Sequence, residues 1–204
     1  MIVEFFGLPA TGKTSIALKL SDGREWKIVK VYSRFELLWL NAIFVVKYPR
    51  QWLKLLAFVI KYSLNYKLFY YKFINAFLYS NAKFIKAKKM NCAIIDQGHF
   101  QGVISLFEKK ITKDETVLYM ATCPLPDILV VFKSEENERR LREAARENNY
   151  RDQFGPEYKN AWREIIAENT KTFLEIIAMS KIPHFLFNSD ETVDRLINQL
   201  RRYE

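Results

Sequence analysis

Eight residues near the N-terminus carry the strongest chemical signal in this chain. Gly7-Leu8-Pro9-Ala10-Thr11-Gly12-Lys13-Thr14 fits the pattern G-x-x-x-x-G-K-[ST] in full. Glycines at that spacing let the backbone curl, so that successive amides point inward at phosphate oxygens. A helix starting at the end of the loop adds unpaired amides and the positive end of its dipole. Gly7, Ala10, Thr11, Gly12 and Ser15 are then the expected wall of a phosphate cradle. Lys13 would place a mobile cation between the β- and γ-phosphates, and Thr14 would offer a hydroxyl to magnesium. The expected ligand is a nucleoside triphosphate with Mg2+, and ATP is the default because no guanine-specifying motif is present. The competing reading is a chance match in the loop before a helix.

Asp96 is the natural second half of such a site. It closes the apolar run Cys92-Ala93-Ile94-Ile95 and is followed by Gln97-Gly98-His99. A carboxylate at the C-terminal end of a buried strand faces the ligand crevice of an open α/β sheet and can hold magnesium together with Thr14. The plainer role is a turn Asp ahead of Gly98. Gln97 and His99 are candidate substrate contacts by proximity, whereas His184, between Pro183 and an apolar run, reads as structural. Farther on, Arg139, Arg142 and Arg146 fall at i, i+3 and i+7, so one helix face can aim all three at one place. Guanidinium forks match phosphate oxygens in pairs, which makes Arg139 a candidate nucleotide contact and Arg142 and Arg146 candidate catalytic groups. The alternative is a solvated helix laced with Glu–Arg pairs.

These groups must be positioned by alternating strands and helices. Ile2 to Phe6, Trp26 to Tyr32, Cys92 to Ile95, Ile128 to Phe132 and Phe185 to Phe187 read as strands. Helical spacing runs through Lys13–Leu20, through Trp52, Leu55, Leu56, Val59 and Ile60, and again over 65–89, 103–123, 135–148, 158–180 and 191–202. Ser33 and Glu36 form a capping-box pattern, which is one account of Glu36; the other is a general base. Strand and helix alternate five times, so the fold class is α/β with a five-stranded parallel sheet covered on both faces. The chain reads as a single domain over residues 1–204, with a helical region at 36–90 and an Arg-rich lid at 135–155.

Composition narrows the function classes. Two cysteines among 204 residues exclude a disulfide scaffold and a four-cysteine zinc site, and two histidines argue against a histidine-rich metal centre. No signal peptide and no apolar run of membrane-spanning length is seen, so a cytoplasmic protein is expected. The formal charge of +9 is concentrated: residues 37–95 hold ten Lys or Arg, no acid and 14 of the 31 aromatics. Core aromatics among solvated lysines, an anionic or aromatic acceptor, a homodimer interface and a membrane-surface face are the readings that stay open. The lysines show no nucleic-acid motif, so nucleic acid is not an expected partner.

Three stretches together carry a resemblance: Gly7 to Ser15, Ile94-Ile95-Asp96, and Pro126-Asp127-Ile128-Leu129-Val130-Val131-Phe132 followed by the Arg-rich helix. In this order, over most of the chain, they look like P-loop nucleoside and nucleotide kinases of the thymidylate-kinase type. The resemblance implies a lid over ATP carrying Arg139, Arg140, Arg142, Arg146 and Arg151. It also implies that Asn188-Ser189-Asp190 lies near the ATP base, and that the helices after the second strand line the acceptor site. One departure matters. Such thymidylate kinases follow the strand-three Asp with Arg, which holds an acceptor phosphate, and here Gln97 stands there. A nucleoside or another small alcohol is then as suitable an acceptor as a nucleotide. Nucleoside kinases of this group carry a carboxylate after strand two, the place Glu36 takes. The expected activity is transfer of the γ-phosphoryl of MgATP to a small acceptor. The rivals are an NTPase or switch with no small acceptor, and a non-catalytic nucleotide-binding protein at a membrane surface.

Overall fold

A computed structural model describes residues 1–23, 25–145, 153–188 and 191–203. Five strands form one parallel sheet in the order β2-β3-β1-β4-β5. They are β1 (Ile2–Phe6), β2 (Lys27–Ile28), β3 (Ala93–Ile95), β4 (Ile128–Lys133) and β5 (His184–Asn188). The helices are α1 (Lys13–Asp22), α2 (Arg34–Lys47), α3 (Pro49–Lys61), α4 (Tyr66–Lys72), α5 (Tyr79–Ala87), α6 (Gly102–Ser105), α7 (Lys113–Thr122), α8 (Glu136–Ala144), α9 (Pro156–Met179) and α10 (Val193–Leu200). The five-stranded parallel sheet expected from the alternation is therefore the observed architecture.

The period of two along each strand divides the core into two layers. Val3 and Phe5 of β1, with Ile128, Val130 and Phe132 of β4, pack under α1 and α10. Ile2 and Phe6, with Ile95, Leu129 and Val131, pack under the larger helical layer formed by α2–α7 and α9. Glu4 has the same parity as Ile2 and Phe6, so the β1 carboxylate is driven into that second layer, where it is 2% exposed. Many aromatics of the acid-free block belong to this layer, among them Phe44, Phe58, Tyr62, Phe77 and Phe84. The outer face of α2 keeps Phe35, Leu38, Trp39 and Val46 exposed.

Several elements depart from the periodicity. Trp26–Tyr32 reduces to the two-residue edge strand β2. After one further ladder bond, from Val29 N to Ile94 O at 2.9 Å, its only neighbour β3 ends, and the chain leaves the sheet. The helix expected over 65–89 opens into a π-helical turn, Phe73–Leu78, between α4 and α5. The span 103–123 splits because Thr112 and Glu115 form a capping box that starts α7 afresh. Ser134 does not cap α8; Glu135 takes the N-cap position with no side-chain bond. Beneath α4, the buried Lys72 ammonium meets Glu108 Oε1 at 3.1 Å and Tyr62 O at 2.6 Å. Glu108 Oε2 accepts from Tyr158 OH at 2.6 Å, which ties α4 to α9.

Candidate nucleotide and acceptor site

β1 is the central strand, and the chain leaving its C-terminal end turns at once into the loop 7–12. Two positions there need backbone freedom. Gly12 has φ 84°, in the left-handed region, and opens α1. Gly7 has φ 156°, and a Cβ on it would sit 2.8 Å from Phe132 O. Ala10 also has positive φ, 66°, in the middle of the curl. Thr11 Oγ1 donates to Leu8 O at 2.9 Å and closes the loop from inside. The Lys13 ammonium is folded across the loop, donating to Gly7 O at 2.6 Å and Leu8 O at 2.8 Å. It also reaches Thr11 Oγ1 at 3.3 Å, and these are acceptors that a phosphate oxygen can replace without leaving the cation unsatisfied. Thr14 and Ser15, on the first turn of α1, are exposed.

Thr14 and Asp96 line one crevice of about 600 Å³, bounded by Val29–Tyr32 on one side and by Asn75, Tyr79 and Lys83 on the other. The sheet thus brings together the hydroxyl and the carboxylate that the sequence paired. Asp96 Oδ1 accepts from Lys83 Nζ at 2.7 Å, and Lys83 also reaches Gln97 O at 3.4 Å. A hard hydroxyl and a hard carboxylate suit Mg2+, which keeps several waters and takes its remaining ligands from phosphates. Among the described residues no cluster of three or more His, Cys, Asp or Glu could hold a metal. A divalent ion here would therefore depend on nucleotide oxygens.

A second cavity, of about 270 Å³, adjoins the first; Asn75 and Gln97 line both. Its walls come from Pro9 of the loop, Tyr71 and Asn75 on either side of the α4 end, Gln101 and Ser105 after β3, and Trp162 of α9. No charged side chain is among its described lining. The π turn has a direct role here, because the extra residue per turn rotates α4 against α5 and lets Asn75 and Ala76 line the same cavity as Ser80.

One amide joins the two cavities. Gln101 Oε1 accepts from Gly7 N at 3.2 Å, and Gln101 Nε2 donates to Gly7 O at 3.0 Å. Both main-chain groups of the first loop glycine are thus held by a side chain that also faces the second cavity. Under this bridge lies Glu4, whose Oε1 accepts from Phe100 N at 2.6 Å. Burial pushes the Glu4 carboxyl up to about 8, against which the amides of Phe100 and Gln101 act only partly. Gly98 crosses directly above it, and a methyl group there would overlap the carboxylate.

The other candidates take different places. Glu36 Oε2 accepts from Tyr32 N at 2.8 Å, not from Ser33, while Ser33 Oγ accepts from Glu36 N at 3.1 Å. Lys86 bonds Glu36 Oε1 at 2.5 Å, and these bonds hold its carboxyl below the usual range, which weakens it as a base. His99 is turned away from both cavities. It is 2% exposed, its Nε2 meets Asn81 Oδ1 at 2.9 Å, and burial lowers its pKa to about 3. It serves as a neutral core group rather than a substrate contact. Arg142 pairs with Glu138 at 2.7 Å and Arg140 with Glu136 at 2.5 Å, the solvated i, i+4 pattern. Arg139 reaches Glu143 at 3.4 Å, and Glu143 is shared with Arg163 of α9 at 3.0 Å. Arg146, Arg151, Ser189 and Asp190 lie outside the described residues.

Sequence reasoning missed Glu4, Asn75, Lys83, Gln101 and Trp162. Glu4 had a signal, an acid in an otherwise apolar strand. The others come from helices and a loop whose local patterns say nothing about the crevice.

No protein-family profile and no curated protein sequence matches the chain. Solved structures do. Deoxyadenosine kinase from M. mycoides, in a structure with the products dCMP and a flexible dCDP bound, aligns with TM-score 0.56 and 14% identity over 99% of this chain and 100% of that one. The same enzyme with bound dATP aligns with TM-score 0.51 and 12% identity over 98% and 100%. Thymidylate kinase from Candida albicans aligns with TM-score 0.51 and 15% identity over 98% of this chain and 89% of that one. The chain has the fold of P-loop nucleoside and nucleotide kinases.

Proposed function

We propose that this protein is an ATP-dependent phosphotransferase that moves the γ-phosphoryl of MgATP to a hydroxyl of a small, uncharged acceptor, with a nucleoside as the preferred class. The observation that carries the reading is the junction of two unlike cavities. One joins Thr14 of the phosphate loop to Asp96, and the other is walled by neutral amides, hydroxyls and aromatics. Tyr71 and Trp162 offer faces for a planar base, and Asn75, Gln97 and Gln101 offer both donors and acceptors for its edge. At about 270 Å³ the second cavity lies just below the roughly 300 to 1,000 Å³ usual for ligand pockets, which suits a small acceptor. The similarity in fold to kinases named for deoxyadenosine and thymidylate supports the same class.

The loop amides and Lys13 hold the triphosphate, and Thr14 and Asp96 would hold Mg2+, which neutralises charge on the β- and γ-oxygens when bound. The acceptor hydroxyl oxygen bonds to the γ-phosphorus as the bond to the β–γ bridging oxygen breaks. ADP leaves with that electron pair, and the hydroxyl proton passes to solvent. Pairing with Lys86 and the Tyr32 amide leaves Glu36 a weak base, so positioning and electrostatics carry the catalysis. Engagement of Arg142 with phosphate would cost little, since an exposed i, i+4 pair is worth about 0.3–0.5 kcal/mol.

The test is incubation of the purified full chain with γ-labelled ATP, Mg2+ and, separately, nucleosides, nucleoside monophosphates, sugars and aminoglycosides. Label is expected on a nucleoside. Release of label only as inorganic phosphate, at a rate no acceptor changes, would establish the NTPase reading instead.

A further inference from the structure

We propose that Lys83 forms a second anion position, outside the phosphate loop, that takes an oxygen of the phosphoryl group in transit; this rests on the phosphotransferase reading. Lys83 projects from α5, whose other side chains Asn81, Ala82, Phe84 and Ile85 are buried. Its Nζ stands 2.7 Å from Asp96 Oδ1 and 3.4 Å from Gln97 O, and the side chain is 15% exposed. The same lysine lines the Thr14–Asp96 crevice at its border with the acceptor cavity, where Asn75 and Gln97 are common to both. Lys13 serves the loop side of a bound triphosphate. Asn75 and Gln97 beside Lys83 are neutral amides, and of the two lysines that line the crevice, Lys30 and Lys83, it is Lys83 that reaches Asp96 and Gln97 O.

The present partner of Lys83 indicates what displaces it. Its ammonium occupies a carboxylate oxygen that Mg2+ would also use, so metal and lysine compete for Asp96. An ammonium has three donors. Released from Asp96, Lys83 can keep Gln97 O and turn a proton toward a phosphoryl oxygen, where charge is spread over three equatorial oxygens during transfer. Lys83, displaced from Asp96 if a metal were held there, would be free for the position where negative charge gathers during transfer.

This gives a signature that a merely structural ion pair would lack. Binding of ADP with Mg2+ is measured by calorimetry with and without aluminium fluoride, a mimic of the phosphoryl in transit, for the wild type, Lys83→Gln and Lys83→Arg. Lys83→Gln is expected to bind MgADP as well as the wild type or several-fold better, because Asp96 is freed. It is also expected to lose about 10²-fold of the gain that aluminium fluoride confers, a loss of the size found when one transition-state donor is removed. Lys83→Arg should keep most of that gain. An undiminished gain in Lys83→Gln overturns the proposal, and so does a parallel loss of MgADP affinity, of the gain and of thermal stability. Failure of the wild type to show any gain, together with no turnover on any acceptor, would remove the phosphotransferase reading itself; failure confined to the variants removes only the role of Lys83.

Discussion

The two cavities of the site are built in opposite ways. The phosphate loop is one continuous segment between β1 and α1, its contacts are charged or main-chain, and its lysine is stored on its own carbonyls. The second cavity is assembled from four stretches of chain between Pro9 and Trp162, and its described lining carries no charge. On the proposed function, charge at one end and neutral polarity at the other would let one crevice hold a polyanion and still reject a second polyanion from the acceptor position. Unsatisfied amides would penalise the wrong acceptor more than a missing apolar contact would.

Lys13→Ala should separate the two regions most sharply. Transfer is expected to fall by on the order of 10³, as when a preorganised charge-stabilising donor is removed. The fold should remain intact, because the Lys13 bonds to Gly7, Leu8 and Thr11 stay within the loop. Acceptor binding, followed by tryptophan fluorescence from Trp162, should be unchanged. Full activity in this variant would remove the mechanism.

Gln101→Leu tests the bridge between the regions. The Gly7 amide would lose its side-chain partner, while the carbonyl would keep Lys13 Nζ, and an unpaired buried group costs roughly 1–3 kcal/mol. The expected result is a loss of up to about 10²-fold in kcat/KM, with KM raised for nucleotide and acceptor together. An effect on one substrate alone would show that the cavities are independent.

Beneath the bridge, Glu4 and His99 make stability respond to pH in opposite directions. Glu4 has its carboxyl raised from 4.5 to about 8, so between those values the folded state binds the extra proton and stability falls as pH rises. His99 is lowered from 6.5 to about 3, so over that span the unfolded state binds the extra proton and stability falls as pH falls. Each slope is at most about 1.4 kcal/mol per pH unit, and the two cancel where the windows overlap. Melting temperature should be flat from pH 4.5 to 6.5 and decline on both sides. Glu4→Gln should abolish the alkaline decline and, by removing the cancellation, let the acid decline begin near pH 6.5; an unchanged alkaline limb would place the titrating group elsewhere.

What the sequence made legible follows the same division. The curled loop and the shared crevice of Thr14 and Asp96 were readable because a glycine-rich turn between strand and helix has a local spacing and because an apolar strand announces the carboxylate at its end. The five strands were readable from their runs, although β2 shrank once β3 gave it nothing further to pair with. His99 misled because closeness in sequence to Asp96 does not fix orientation: one residue on, Phe100 and Gln101 turn back to bond Glu4, and the imidazole is carried under α5 to Asn81. Lys83 was hidden among ten cations without an acid in sequence, since only the packing of α5 on β3 selects the one that meets Asp96.

The smallest effect should come from Asn75, and it bears on whether the acceptor side recognises its ligand by neutral hydrogen bonds. Asn75 sits on the π turn, donates to Tyr71 O at 3.0 Å, and lines both cavities. Its amide oxygen stays available to a ligand donor. One neutral hydrogen bond is worth about 0.5–1.5 kcal/mol net, so Asn75→Ala should raise acceptor KM by about tenfold at most. The KM for MgATP should stay within about twofold, with kcat little changed, because the contact is the same in ground and transition states. A rise confined to MgATP would reassign Asn75 to the nucleotide side. Equal rises in both would mean that the π turn sets the distance between the cavities rather than reading the acceptor.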